Sequence, residues 1–362
     1  MNALYDIHGL RVRMTGLADA SFPDINAKLH WFTVPEDGRP VDLEMAIGRF
    51  EPDLGSCMVL DRRYWARPGY LYLEEADKGL SWRAEIQGLD RVPGEPMRIC
   101  FAHGPWNRRR QPWLLFPDLV AHLYVLWPVL ECELAARGMY LVHAGGVERD
   151  GRATLIAGRG GVNKTAIVAD LVHRGWQAMG DDFVLLARDG QAGAQVLAFP
   201  TSPRWFEFQL RHMEDEELMF VDKLRLFWFL HRRQETNVAF SRRSRLGRLV
   251  LVDQTEGCAA PESSPLDPAA AAARLALNCR MERVAYVGHG TVIGRFLEAY
   301  RYVMPDSTYS RAWDGLGQAL AGLMSGVPAC RIVAPPAYDR RLADAVESRS
   351  RCGRLDGFGT SD

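Results

Sequence analysis

A chain of 362 residues is more than one hydrophobic core usually fills and is comfortable for two. With 48% hydrophobic and 25% charged residues it is too apolar to be disordered, and 44 Lys and Arg against 45 Asp and Glu exclude a global field for nucleic acid or an anionic membrane surface. Its seven cysteines (Cys57, Cys100, Cys132, Cys258, Cys279, Cys330, Cys352) are never closer than 21 residues, which excludes a zinc knuckle or CxxC pair and leaves reduced, buried thiols.

The opening MNALYDIHGLRVRM lacks the apolar run and cleavage site of a secretory signal, so the cytoplasm is the expected location. Residues 1–115 contain short segments rich in Val, Leu, Tyr and Trp, such as Leu29 to Val34, Ser56 to Leu60 and Tyr70 to Leu73, punctuated by Pro and Gly; they predict a smaller, mainly β accessory domain. Within it Arg108 to Arg110 reads as a solvated loop. The apolar stretch Trp113 to Leu130 contains Asp118, His122 and two prolines, so a buried helix is expected rather than a membrane span. Pro117 and Asp118 start that helix, Gly138 caps it, Pro128 is placed to kink it, and residues 116–138 are expected to bridge two domains.

From 139 to 349 the pattern becomes α/β. Met139 to Val147 and Ala153 to Ala157 read as strands, Thr165 to Arg174 as a helix and Asp182 to Ala187 as a strand. Farther on come a strand at Arg248 to Val252, a loop from Thr255 to Asp267, an alanine-rich helix at Pro268 to Asn278, helices near 282–303 and 308–324, and a strand at Cys330 to Val333. Residues 350–362 read as a flexible tail.

Chemistry concentrates where the second of these strands meets its helix. Gly158, Arg159, Gly160, Gly161, Val162, Asn163, Lys164 and Thr165 form a P-loop-like run. Backbone N–H groups at a glycine-rich bend and a helix N-terminus carry partial positive charge and can hold phosphate oxygens closely. Lys164 would neutralise the β- and γ-phosphates, and the Thr165 hydroxyl would ligate Mg2+. Asn163 stands where the usual pattern has glycine, and asparagine is among the few other residues that enter left-handed backbone space readily. The competing reading is a glycine-rich turn with a surface lysine.

Seventeen residues past Lys164, Asp181 and Asp182 precede a strand. In phosphoryl transfer one carboxylate can accept the proton of an attacking hydroxyl while the other holds Mg2+; the plainer reading is an aspartate turn. His143, in the apolar run LVHAGG, either tunes one of these aspartates or is a lone core histidine.

The segment YLVHAGGVERDGRATLIAGRGGVNKTAIVADLVHRGWQAMGDDFVLL resembles the nucleotide-binding part of the HPr kinase/phosphorylase-like family, including the related kinases found beside lasso-peptide biosynthesis genes. His143, Gly158 through Thr165, Arg174-Gly175 and Asp181-Asp182 carry the resemblance over about 47 residues. It implies a carboxykinase-like α/β fold, Asp181 as general base, Asp182 as a Mg2+ partner and His143 as support for Asp181. The family's glycine-rich phosphorylase signature is missing downstream, which argues against HPr as substrate.

Between Asp222 and Arg248, eight Lys or Arg residues meet two acidic ones around Phe227, Trp228 and Phe229. The run reads either as a helix with a solvated basic face or as a mobile substrate flap. Together these signs predict a kinase that uses ATP or GTP with Mg2+ to phosphorylate a hydroxyl of a peptide, protein or small molecule, with no nucleic-acid or membrane partner. A homo-oligomer stays open. The alternative is a non-catalytic, degenerate kinase-fold protein that recognises a peptide or protein partner.

Overall fold

The computed structural model describes residues 2–16, 29–77, 80–91, 95–104, 120–190, 193–200, 206–207, 238–286 and 295–352. The expected helix start at Pro117, the arginines at 108–110, most of the basic run and the tail beyond 352 lie outside these residues. The described residues divide into two units, the first holding those up to Gly138 together with 285–286 and 295–315, the second holding the rest.

The first unit is mainly β, as its alternating apolar segments predict. Its strands are β1 (Ala3–Ile7), β2 (Leu10–Thr15), β3 (Leu43–Ile47), β4 (Met58–Leu60), β5 (Tyr64–Arg67), β6 (Tyr70–Asp77), β7 (Leu80–Gln87) and β8 (Met97–His103). They form one mixed sheet in the order β1-β2-β3-β8-β7-β6-β5-β4. Register places apolar residues in rows across it: Leu71 faces Ile86, which faces Ile99, which faces Met45, and the next row runs Leu73, Ala84, Phe101, Ile47. Such rows fix the pairing, because a one-residue slip would turn every one of these side chains to the other face. The expected strand at 29–34 is instead a short 3-10 turn over His30–Phe32, where Phe32 is buried and packs edge-on against Trp31 and His8.

A helix follows, α1 (Trp127–Ala136), entered through a π-helical stretch over Ala121–Leu126. Pro128 supplies the physical cause, since it lacks a donor and its ring crowds the carbonyl four residues back, and a wider turn relieves both. On α1, Glu133 is buried and receives Arg91 at 2.7 Å, Arg137 at 2.7 Å and the Tyr309 hydroxyl at 2.9 Å. Tyr309 belongs to the helix Thr308–Asp314, and Tyr300, on the helix Arg295–Val303, donates to Asp90. These buried polar contacts place 295–315 in the first unit. The expected helix at 308–324 is divided at Gly315, and its two halves fall in different units.

In the second unit the elements are β9 (Met139–Arg149), β10 (Arg152–Ala157), α2 (Lys164–His173), β11 (Gln177–Gly180), β12 (Phe183–Arg188), β13 (Ala194–Ala198), β14 (Arg243–Gln254), β15 (Glu262–Leu266), α3 (Pro268–Tyr286), α4 (Leu316–Met324), β16 (Ala329–Ala334) and α5 (Arg341–Cys352). The sheet runs β10-β9-β12-β13-β14-β16-β15, and β10 also pairs in parallel with β14, so five strands close on themselves. β14 makes this possible by its length: it holds β10 along one edge and, on the other, β13 near its start and β16 near its end. Arg243 and Arg245 therefore lie on a strand, which corrects the helical reading of this end of the basic run, and Arg248 lies on the strand expected to begin there. The expected loop at 255–267 contains β15, a terminal strand, where Pro265 is tolerated because edge positions need no complete ladder. Ile167, Val168 and Leu171 of α2 join Leu342, Ala343 and Val346 of α5 in the core against Ile156 and Val250.

Candidate functional site

The glycine loop leaves β10 at the end where β10 and β14 run side by side. A Cβ on Gly158 would lie 2.4 Å from the Val252 carbonyl oxygen, so only glycine lets the loop turn beside β14. Asn163 then adopts φ 63° and ψ 26°, the left-handed conformation its side chain makes accessible, and opens α2 as its N-cap. Its amide Nδ2 donates to the Pro336 carbonyl at 3.2 Å, a tie that holds this side chain. The other end of α2 is closed by Gly175 at φ 87°, with Gly175 N–H donating to Val172 and Trp176 N–H to Leu171, a Schellman cap. The Arg174-Gly175 pair thus ends the helix, and Arg174 joins it to α5 through Asp344 at 2.6 Å and Glu347 at 3.3 Å.

Lys164 is buried at the first position of α2, and its Nζ donates to the carbonyls of Gly158 and Arg159, each at 3.1 Å. The ammonium therefore lies inside the curl of the loop. This geometry disposes of the surface-lysine reading. Gly160 and Gly161 are exposed, Val162 is buried in the core and Thr165 is partly buried on the first turn of α2.

Asp181 and Asp182 occupy the turn between β11 and β12. Strand β9 brings His143 opposite Phe183 in register, and the imidazole Nε2 lies 2.8 Å from Asp182 Oδ1. The histidine's partner is thus Asp182, whereas the resemblance assigned it to Asp181. The pairing follows from register: His143 faces Phe183, and the side chain one residue earlier is the one within reach. Gly145 next to it is equally constrained, because a Cβ there would meet Val168 of α2 at 2.6 Å.

Asp181 retains some open surface but is densely surrounded by protein. That desolvation, with the neighbouring Asp182 charge second, pushes its pKa up to about 7, while backbone hydrogen bonds and the positive charge of Lys164 act in the opposite direction. The Lys164 contribution ties the loop electrostatically to the aspartate turn. Two adjacent carboxylates in unlike settings, one favouring its neutral form near pH 7 and one held by an imidazole, are suited to different tasks.

Two groups at this site escaped sequence reasoning. Asn278 of α3 is buried, and its Nδ2 lies 3.2 Å from the His143 carbonyl oxygen and 3.5 Å from its Nδ1. An amide NH2 turned to both atoms makes Nδ1 the acceptor and leaves the ring proton on Nε2, facing Asp182. The signal was present: Ala271 and Leu275 are buried on α3, and Asn278 continues that stripe at helical spacing. The second is Asp253, near the end of β14 and next to Val252. Burial opposes its ionisation, but hydrogen bonds from Arg274 at 2.8 Å and Arg331 at 2.6 Å prevail and hold its pKa below the usual range.

Mg2+ needs few protein ligands because it keeps several waters and takes phosphate oxygens. Asp182, with one oxygen on His143, and Thr165 provide hard oxygen donors of the right type. Among the described residues no group of three or more His, Cys, Asp or Glu is arranged to hold a metal ion. Among the described residues, Cys57, Cys100, Cys132, Cys258, Cys279 and Cys330 form no disulfide, and no described helix is long and apolar enough to cross a membrane.

Residues 118–246 match the family described as SynChlorMet cassette protein ScmC. That match spans the glycine loop, the aspartate pair and His143, and it covers well under half of the chain. Among curated proteins nothing matches. Among solved structures, the Hpr(Ser) kinase/phosphatase from Coxiella burnetii is similar at 13% identity, covering 60% of this chain and 99% of that one with a TM-score of 0.29.

Proposed function

We propose that this protein is a Mg-nucleotide-dependent kinase that transfers a phosphoryl group to a hydroxyl of a peptide, protein or small metabolite. The observation that carries the reading is the loop itself. A buried lysine lies inside a glycine-rich curl at a helix N-terminus, electrostatically coupled to an aspartate of raised pKa.

In this reading the loop N–H groups and the start of α2 receive the phosphates of ATP or GTP, and Lys164 exchanges its two carbonyl partners for phosphate oxygens. Asp181 takes the proton of the acceptor hydroxyl as the oxygen attacks the γ-phosphorus, and the bond from that phosphorus to the bridging oxygen breaks, releasing the diphosphate. A pKa about 7 leaves a substantial unprotonated fraction at neutral pH and a usable affinity for the proton. Thr165 and Asp182 would hold Mg2+, which would supply positive charge to offset the negative charge developing on the transferring group. His143, with its proton on Nε2, fixes the Asp182 oxygen it touches, and Asn278 fixes His143.

The test is phosphate transfer from labelled ATP and GTP to candidate hydroxyl acceptors, read by mass spectrometry. Asp181→Asn should keep nucleotide binding and lose turnover by roughly 100-fold or more. Retained turnover would reject Asp181 as the base. Nucleotide binding without transfer by the unaltered protein to any acceptor would favour the non-catalytic binding protein.

A further inference from the structure

We infer that the first unit carries a docking groove for an acidic, extended polypeptide segment. A cavity of about 590 Å³ opens where β5 to β8 end together on one side of the sheet. Strand spacing makes that row of four strand ends roughly 15 Å long, which an extended chain of four or five residues spans.

The groove is built of arginine. Arg49, Arg62, Arg63 and Arg83 line it together with His103. Of its two carboxylates, Glu75 is buried and already held by Arg63 at 3.2 Å and by the Tyr64 hydroxyl at 2.6 Å. Glu74 accepts from the Tyr72 hydroxyl. Arg83 is braced, its guanidinium 4.9 Å from the Phe50 ring centroid, bonded to the Phe50 carbonyl and 3.9 Å from the exposed Glu51 carboxylate. Arg49 and Arg62 are exposed and make no ion pair among the described residues. Two uncommitted guanidinium groups beside a braced third are complementary to carboxylates, which they grip with two parallel bonds each.

Further observations point the same way. Asp61 and Arg62 form the tight turn between β4 and β5 with φ of 49° and 56°, and a turn with both central residues left-handed ordinarily takes glycine at the second. An arginine kept there at a conformational cost is a residue held for what its side chain does. The edge strand β4, which leads into this turn, exposes Val59 to an incoming chain. Glu74, exposed within the groove, would also repel a continuous line of phosphates, whereas spaced carboxylates can avoid it.

Fluorescence anisotropy on the full chain, without nucleotide, tests this separately from the kinase reading. The probes are a short labelled glutamate-rich peptide, the same peptide with glutamine for glutamate, and an oligothymidylate. The glutamate peptide should bind, the glutamine peptide should not, and Arg49→Ala with Arg62→Ala should weaken binding about tenfold or more. Arg62→Gly should weaken binding while raising the melting temperature, the pairing expected of a strained functional residue. Absence of binding by the glutamate peptide, equal binding in the arginine variants, or tighter binding of the oligothymidylate would overturn the proposal.

Discussion

Asp181 makes the site sensitive to pH. Burial and Asp182 raise its pKa from 3.8 to about 7, so the folded chain holds a proton that the unfolded chain releases near pH 4. The stabilisation from this group is complete below that lower value and is lost as pH rises through about 7. Asp181→Asn, which cannot ionise, should therefore melt higher than the unaltered protein at pH 8, by about 1 to 2 kcal/mol after solvent screening, and show little advantage at pH 4. Turnover has the opposite slope, because a base must be unprotonated: kcat should climb with pH through about 7. Asp182→Asn removes the second-largest cause and should move that inflection to lower pH. Asn278 supplies a further residue-scale prediction. Asn278→Ala leaves His143 Nδ1 without a donor, and should cost about 1 to 2 kcal/mol in stability while lowering kcat more than it raises the KM for nucleotide.

Among the elements, α2 is the one whose sequence and structure agree most closely. Asn163 begins it, Gly175 ends it, and Ile167, Val168 and Leu171 bury its inner face at helical spacing. Gly175→Ala forces a side chain into φ 87° and should cost about 1 kcal/mol by urea denaturation. Strands β9, β10 and β12 were legible for the same reason, being apolar runs bounded by turn residues. Elements whose identity depends on distant neighbours were not. β15 carries Ser263, Ser264 and Pro265, loop-like residues that become a strand only because β16 offers an edge. The partner of His143 was likewise hidden, because the register of β9 on β12 decides it and spacing along the chain does not. Glu133 on α1 is the corresponding case in the first unit. Burial there opposes its charge, yet hydrogen bonds from Arg91 and Arg137 hold its pKa low. Glu133→Gln would take the facing carboxylate from the half-buried Arg91, leaving it the Gly88, Asp42 and Glu95 carbonyls, and should destabilise by about 3 kcal/mol in the same denaturation experiment.

For the whole molecule, the near balance of charge conceals a local division of labour. The first unit gathers arginines at one end of an open eight-stranded sheet, and the second places a buried lysine and two aspartates around a strand-to-helix loop. Neither feature is visible in a net charge of −1. The proposed kinase activity requires that loop to receive phosphate. Calorimetric titration with Mg-ATP and Mg-GTP, run beside Lys164→Ala, tests it directly. Binding of at least one nucleotide by the unaltered protein, weakened by roughly 1.5 to 3 kcal/mol in Lys164→Ala, is the predicted result. Absence of binding by the folded protein, or binding that Lys164→Ala leaves unchanged, would contradict it.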